Sequence, residues 1–272
     1  MFISTGISLL GAQPSGGTLW TPADMTTTAW YDVSDSTTVT LNGSNVASLD
    51  DKSGNGYTAT QTNASDQPLL LTAAVNGLDS MQLGSNSPFR GTAHLQIGAV
   101  GPVLTQTKYA VISHHARYNG QNQNMVVAAT GSSAGNSNGI LHIGYDGPTK
   151  MRLGQFSNDL DYTGIPNNYD VDVMMTALNR AGGKLISLNG GQYSNTNTNT
   201  TDIVAGGNTG FSIGRFGGNA YEFAGRINEI VILAYDVSDT LYQKIEGYMA
   251  WKWGTEASLP VTHPYYSAAP TT

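Results

Sequence analysis

The chain has 272 residues with 33 glycines, no cysteine and a net charge of -7. Charged residues make up 11% of the chain, against roughly 25% in ordinary soluble domains, which argues against a charge-rich disordered protein. The negative charge and the scattered 12 Lys and Arg argue against nucleic acid as a partner, because phosphate binding depends on clustered cations. Without cysteine there are no disulfides, thiolate zinc sites or cysteine nucleophiles.

Residues 1–18 read as an apolar N-terminal arm that ends in a Pro/Gly/Ser linker. The first basic residue is Lys52, so the basic start of a secretory signal is missing. No stretch approaches the roughly eighteen apolar residues of a membrane span. We therefore expect a soluble protein without membrane insertion, whose arm docks on its own domain or on a neighbouring subunit.

From Trp20 onward, short apolar stretches alternate with clusters of Gly, Asn, Asp and Ser. This pattern is typical of an all-β sandwich or barrel. Two hairpins are indicated at Asn189-Gly190 and at Gly217-Gly218-Asn219, because these residues tolerate the positive φ that tight turns require. Strands are predicted over residues 37–41, 45–49, 69–72, 79–83, 108–114, 125–130, 140–145, 150–156, 171–178, 184–188, 211–215 and 221–235.

A single helix is predicted over residues 238–253. Ser238 suits the N-cap, Asp239 complements the positive end of the helix dipole, and Gly254 is a stop signal. The stretch 221–235 is apolar on both faces, which predicts a central strand with the helix as its cover. Residues 19–272 thus predict one all-β domain with a C-terminal helix and an extended, proline-containing tail.

Motifs at both ends of this domain carry a family resemblance. The N-terminal end has W-Y-D at 30–32 and D-K-S-G-N-G at 51–56, and the C-terminal end has G-x-I-x-E at 225–229, K-W-G at 252–254 and L-P-x-x-H-P-Y at 259–265. Here the chain resembles the laminin-G-like, concanavalin-A-like lectin/glucanase domains of bacteriophage virion proteins. The resemblance implies an antiparallel two-sheet jelly-roll sandwich. It also implies a fibre, spike or head-decoration protein on the virion surface, synthesised in the host cytoplasm.

Two loops rich in aromatic and amide residues, 116–124 and 215–221, are the candidate ligand surface. Aromatic faces stack on apolar patches of a ligand, and amides adapt their hydrogen bonds to hydroxyl groups. A neutral host-surface glycan could be held in this way, and ordinary solvated loops are the alternative. The candidate ligand residues are Arg117, Tyr118, Asn119, Arg215, Asn219 and Tyr221.

The loop of residues 50–56 is a candidate calcium site. Asp50, Asp51 and Asn55 supply the oxygen ligands that calcium prefers. The competing interpretation is a turn in which Asp51 and Asn55 bond their own backbone, which Lys52 within the loop favours.

No convincing catalytic group emerges from the sequence. Ser212 lies in a G-x-S-x-G pattern, but its flanks indicate strands rather than the strand-to-helix turn that a nucleophile elbow needs. Paired glutamates at glycosidase spacing are not found, since the four glutamates are Glu222, Glu229, Glu246 and Glu256. His114 and His115 point to opposite faces of a strand, and His94, His142 and His263 have no metal-ligand spacing.

Together these features predict a non-enzymatic virion surface protein that attaches to host glycans. The alternatives are a purely structural decoration protein, with the arm buried on neighbouring virion proteins, and a glycan-degrading enzyme. Because interface cores are depleted of charge, the scarcity of Lys and Glu also predicts a homo-oligomer such as a trimer.

Overall fold

The computed structural model describes residues 17–84, 93–98, 101–102, 104–105, 107–118, 124–130, 137–167, 169–193, 199–204, 210–216 and 221–272. The predicted arm, apart from residues 17 and 18, lies outside this range, and so does the predicted turn at 217–219. No helix in the described ranges is long and apolar enough to cross a bilayer.

Short strands dominate the described chain, which confirms the all-β prediction. A single α-helix, α1, spans Asp239–Trp253, and three short 3-10 helices span Pro22–Asp24, Ala64–Asp66 and Glu256–Ser258. The strands are β1 (Ala29–Asp32), β2 (Val39–Asn42), β3 (Asn45–Leu49), β4 (Ala59–Thr60), β5 (Leu69–Val75), β6 (Leu78–Leu83), β7 (Leu95–Ile97), β8 (Tyr109–Arg117), β9 (Asn124–Thr130), β10 (Leu141–Tyr145), β11 (Lys150–Gln155), β12 (Leu160–Thr163), β13 (Val173–Arg180), β14 (Gly183–Leu188), β15 (Gly191–Tyr193), β16 (Gly210–Ile213), β17 (Arg215–Phe216), β18 (Tyr221–Glu222) and β19 (Gly225–Leu233).

Antiparallel ladders join seventeen of these described strands into one continuous network, and β17 and β18 pair with each other. β19 is central, because it pairs with β1, β6 and β8. β8 also pairs with β13, which continues into β14. The predicted hairpin at Asn189-Gly190 is confirmed, since both residues have positive φ and join β14 to β15.

Two apolar clusters lie on opposite sides of the central strands. Side chains such as Val111 and Ile230 belong to a larger cluster, whereas Ile112 and Val231 belong to a smaller cluster that includes helix α1. Because neighbouring strand residues point to opposite faces, β8, β13 and β19 are buried on both sides. The predicted central strand with a helical cover is therefore confirmed.

The prediction of one unbroken strand over 221–235 is wrong. The chain leaves the ladder at Phe223 and Ala224 and re-enters it at Gly225, where a β-carbon would lie 2.1 Å from the carbonyl oxygen of Ala116. A bulge between Ile227 and Glu229 then shifts the register against β8. This bulge is why residues 227 and 230, separated by an odd number of positions, share one core.

Helix α1 begins and ends as its sequence predicts. The Ser238 side chain accepts a hydrogen bond from the backbone N–H of Leu241, and Gly254 adopts a left-handed conformation with φ of 71°. The tail is fixed to the helix through His263, whose Nε2 lies 3.2 Å from the Glu246 carboxylate. Beyond it, Trp20 donates its backbone N–H to the carbonyl of Pro270.

Glu229 fastens the helix to the central sheet. Its fully buried carboxylate accepts hydrogen bonds from the indole N–H of Trp30 (2.7 Å) and of Trp253 (2.8 Å), and from the hydroxyl of Tyr248 (3.0 Å). The ammonium of Lys252 lies 2.8 Å away and also contacts Asp32 at 2.7 Å. β1, β19 and α1 therefore meet at one negative charge.

Replacing that charge tests its importance. Glu229→Gln should lower the free energy of unfolding by about 3 kcal/mol or more, because it leaves Lys252 without one buried partner and turns an acceptor into a donor facing two N–H groups. Asp236→Asn, at an exposed carboxylate with one 3.3 Å bond, is the control and should cost less than about 0.5 kcal/mol. Equal losses in urea denaturation would contradict this role.

His114 and His115 are both buried and lie on opposite faces of β8, as their adjacency predicts. His114 stacks on Trp253 beneath the helix, and His115 lies 2.8 Å from the Tyr145 hydroxyl in the larger core. Burial lowers the pKa of His114 to about 4 and that of His115 to about 3. Both rings are therefore neutral in the folded state at pH 7.

Stability should fall as pH falls from 6.5 to 5. The unfolded chain takes up protons on both histidines below their ordinary pKa, while the folded chain does not, so acid favours unfolding by roughly 1.4 kcal/mol per histidine and pH unit. Urea denaturation at pH 6.5, 6.0, 5.5 and 5.0 measures the slope before most carboxylates titrate. The double variant His114→Gln, His115→Gln should show a flatter slope, and an unchanged slope would contradict the assignment.

Candidate functional site

One sheet face points away from the larger core. Leu141 and Ile143 of β10 enter that core, so His142 between them projects from the opposite face. The strand registers place six residues in one row across β4, β7, β16, β9, β10 and β11, a span of about 24 Å at the usual strand spacing of roughly 4.8 Å. The row consists of Thr60, Gln96, Ser212, Ala128, His142 and Gly154.

The row contains small and polar residues, of which Thr60 and Gln96 are exposed and Ser212 and Gly154 are buried. Gly154 allows the His142 ring to lie directly on the backbone, since a β-carbon at Gly154 would be 1.9 Å from Nε2 of His142. Ser212 donates its hydroxyl hydrogen to the carbonyl of Arg215, 2.5 Å away. Ser212 is followed by a turn and a strand, so the sequence interpretation of Ser212 as an ordinary strand residue is confirmed.

The β17–β18 ladder places two aromatic rings over this face. Phe216 pairs with Tyr221 across the ladder, and their rings stack with centroids 5.6 Å apart and planes 25° apart. The Phe216 ring also lies 5.4 Å from the His142 ring. Phe216 and Tyr221 are only half-buried, so they form an aromatic platform accessible to a ligand.

Polar groups flank the platform on its Arg215 side. Arg215 Nη1 lies 3.5 Å from the His94 ring, and the side-chain amide of Gln61 lies 3.2 Å from His94 Nε2. These groups can donate and accept hydrogen bonds next to the aromatic rings. We call His94, His142, Arg215, Phe216 and Tyr221 the outer-face cluster.

Charged residues of β10 to β12 lie beside His142 on the same side of the sheet. Arg152 makes a two-point ion pair with its cross-strand partner Asp161, at 2.6 and 2.7 Å, and lies 3.0 Å from Asp146 and 3.8 Å from Asp159. Lys150 adds ion pairs to Asp146 and Asp161. We call these five residues the Asp–Arg network.

Burial and charge fix the protonation of this region. Burial lowers the pKa of His142, with Asp159 opposing the shift, so the ring is neutral at pH 7. Burial tends to raise the pKa of Asp161, but the hydrogen bonds and charge of Arg152 outweigh it and lower the pKa below its ordinary value. Asp161 is therefore an ionised carboxylate at neutral pH.

The structure separates the candidate ligand residues. Arg215 and Tyr221 lie together on the β17–β18 ladder, whereas Arg117 is buried at the end of β8 and Tyr118 hydrogen-bonds Arg226. The predicted loop over 116–124 is wrong at its start, because β8 continues through Arg117. The two remaining candidates, Asn119 and Asn219, lie outside the described residues.

The residues of the candidate calcium loop bond their own protein. Asp51 Oδ1 accepts hydrogen bonds from the backbone N–H groups of Trp30 and Ser53, both at 2.9 Å. Asp50 accepts the hydroxyl of Thr58, and the Asn55 amide donates to the carbonyl of Thr28. No group of three or more His, Asp or Glu in the described chain could hold a metal. Calcium binding here stays a prediction that the observed contacts do not support.

The sequence motifs do not predict the Asp–Arg network or the position of His142. The glutamates show no paired spacing, and Asp146, Asp159 and Asp161 belong to none of the motifs. The sequence pattern around Arg152 and Asp161 does indicate their orientation. Each lies between apolar core residues of a strand-length segment, so both side chains project away from the core. That they face each other depends on the register of β11 and β12, which sequence periodicity does not give.

Comparisons with known proteins identify similar folds at low sequence identity. No family model and no curated protein matches the chain. An arabinofuranosidase complexed with arabinofuranosyl-α-1,2-xylobiose matches 85% of this chain and 64% of its own, with a TM-score of 0.60 and 11% identity. A GH54 α-L-arabinofuranosidase matches 77% and 51%, with a TM-score of 0.57 and 13% identity. The binding domain of botulinum neurotoxin serotype G matches 82% and 51%, with a TM-score of 0.55 and 13% identity.

These comparisons contradict two predictions. The three similar folds named above belong to two arabinofuranosidases and a toxin binding domain, and none of the three is a virion protein, so the prediction of a non-enzymatic virion surface protein is wrong. The prediction that the chain is not an enzyme is overturned by the same finding. The chain spans less than two thirds of the length of each of these proteins, and the likeness shows the fold alone.

Proposed function

We propose that the chain binds a carbohydrate across the outer face of its sheet. The observation that carries this proposal is the half-buried stack of Phe216 and Tyr221 with Arg215 and His94 beside it. Aromatic faces favour the apolar face of a sugar ring, and the adjacent N–H groups and ring nitrogens suit its hydroxyl groups.

We infer that the sheets form a jelly-roll sandwich, the architecture that the laminin-G-like resemblance implies. Antiparallel pairing throughout the strand ladders and a large apolar cluster enclosed between strand faces support it. The likeness to an arabinofuranosidase over 85% of the chain supports it as well. On such a sandwich the outer face is a rigid platform, since its strands are held by the core on their other side. Homo-oligomerisation remains a prediction.

Removing the outer ring of the stack tests carbohydrate binding. Tyr221→Ala should weaken binding of an arabinoxylan oligosaccharide, or of the best ligand on a glycan array, about tenfold, which is roughly 1.4 kcal/mol. Tyr266→Ala, at an exposed tyrosine of the tail, is the matched control and should leave the affinity unchanged. Isothermal titration calorimetry measures both. Failure of the wild-type chain to bind any glycan, or equal losses in the two variants, would refute the proposal.

A second candidate function is hydrolysis of the bound glycan. The Asp–Arg network, on the same side of the sheet as the platform, favours it. Glycosidases use two carboxyl groups, one ionised and one that donates a proton. Asp161 fits the ionised role because Arg152 lowers its pKa.

If the chain hydrolyses the glycan, substitution of the ionised carboxylate should reduce turnover but not the affinity for the oligosaccharide. Asp161→Asn should reduce release of reducing sugar at least about 100-fold, because it removes the ionised carboxylate, while the affinity for the oligosaccharide changes less than about twofold. Asp170→Asn, at an exposed partner of Arg226, should keep full turnover. Prolonged incubation of the wild-type chain with arabinoxylan and a panel of aryl glycosides without product would eliminate this candidate and leave binding intact.

A further inference from the structure

Arg117 is a buried cation without a carboxylate partner in the described chain. It is 3% exposed, and its guanidinium donates to three backbone carbonyls, at 3.2 Å to Gly147, 2.6 Å to Pro148 and 3.3 Å to Pro166. The guanidinium also lies over two tyrosine rings, 4.2 Å from the centroid of Tyr145 and 5.2 Å from that of Tyr169. All of these partners are neutral, so no negatively charged group of the described chain is paired with the guanidinium.

The acidic residues nearest in sequence to this site are bound to other cations. Asp170 donates its backbone N–H to the carbonyl of Arg117, but its carboxylate pairs with Arg226, as does that of Asp172. Asp146, which follows Tyr145, pairs with the cations of the Asp–Arg network. Burial lowers the pKa of the Arg117 guanidinium, yet arginine does not lose its proton in proteins.

A narrow cleft opens beside the guanidinium. Its cavity has a volume of about 10 Å³ for a water-sized particle, which is roughly the room that one water molecule needs. Apart from Arg117 and the Tyr145 ring, its lining is apolar. The lining residues are Arg117, Tyr145, Ile165, Pro166, Val173 and Leu188.

We propose that this cleft binds one small monovalent anion, of which chloride is the type, as the counterion of Arg117. A buried charge is costly unless it is paired, and an apolar lining suits a weakly hydrated ion. The small size of the cleft favours a monatomic ion over sulfate or phosphate, and the charge of Arg117 disfavours a metal cation. The three carbonyl bonds of the described chain engage Nη1 and Nη2 of Arg117, and the guanidinium carries five N–H donors in all. The site does not depend on the proposed carbohydrate function.

Chloride titration of the purified chain tests the proposal. At constant ionic strength, with sodium gluconate as the replacement salt, the Tm should rise by about 3 °C for each tenfold increase in chloride above the dissociation constant. Arg117→Gln should abolish this dependence because it removes the charge. Arg180→Gln, at an arginine already paired with Asp239, is the matched control and should retain it.

Several results would overturn the proposal. A Tm identical in chloride and gluconate would do so, and a chloride dependence of equal size in Arg117→Gln would show a general salt effect instead. If Arg117→Gln does not fold, the wild-type chain decides the question by chloride NMR. Line broadening that bromide removes by competition supports the site, and a linewidth equal to that of protein-free buffer refutes it.

Discussion

The buried carboxylate of Glu229 is the constraint on which the architecture depends. A charge with no exposure is tolerated only where donors surround it, and here two indoles, a phenol and an ammonium converge on it. Those donors come from β1 and α1, which are separated by about two hundred residues. Helix α1 must therefore lie in one orientation on the central strands, which fixes the face of the sheet that the helix covers.

The sequence predicts the fold where local chemistry determines it. The helix ends follow from Ser238 and Gly254, and the strand predicted over 45–49 is observed as Asn45–Leu49. The sequence does not predict two short strands, Ala59–Thr60 and Leu95–Ile97. Strands of two or three residues form because they pair with a neighbouring strand, and here the two pair with each other. The bulge between Ile227 and Glu229 is missed for the same reason, since it satisfies the pairing with β8 and not a preference of its own residues.

The candidate site is predictable in composition but not in position. The side-chain chemistry of Arg215 and Tyr221 predicts a ligand surface, and both residues lie on the aromatic β17–β18 ladder. Arg117 has the same chemistry but is buried, because its segment extends a buried strand instead of forming a loop. The spacing of His142 in the sequence does not match that of a metal ligand, so the sequence does not mark it as a site residue. Its place beneath Phe216 is set by Gly154, a residue on another strand that admits the imidazole ring.

The chain has few charged side chains, and their pairing and burial constrain the fold. Seven of the 12 basic residues form ion pairs within the described chain. Most of the positive charge is therefore paired with carboxylates of the same chain. Lys184 and Arg117 are both buried to 3% exposure and form no ion pair with the described residues. Burial lowers the pKa of Lys184 to about 8, so the lysine can relieve its burial by losing a proton near neutral pH. Arginine has no such route, and the Arg117 guanidinium is instead held by three backbone carbonyls and two tyrosine rings.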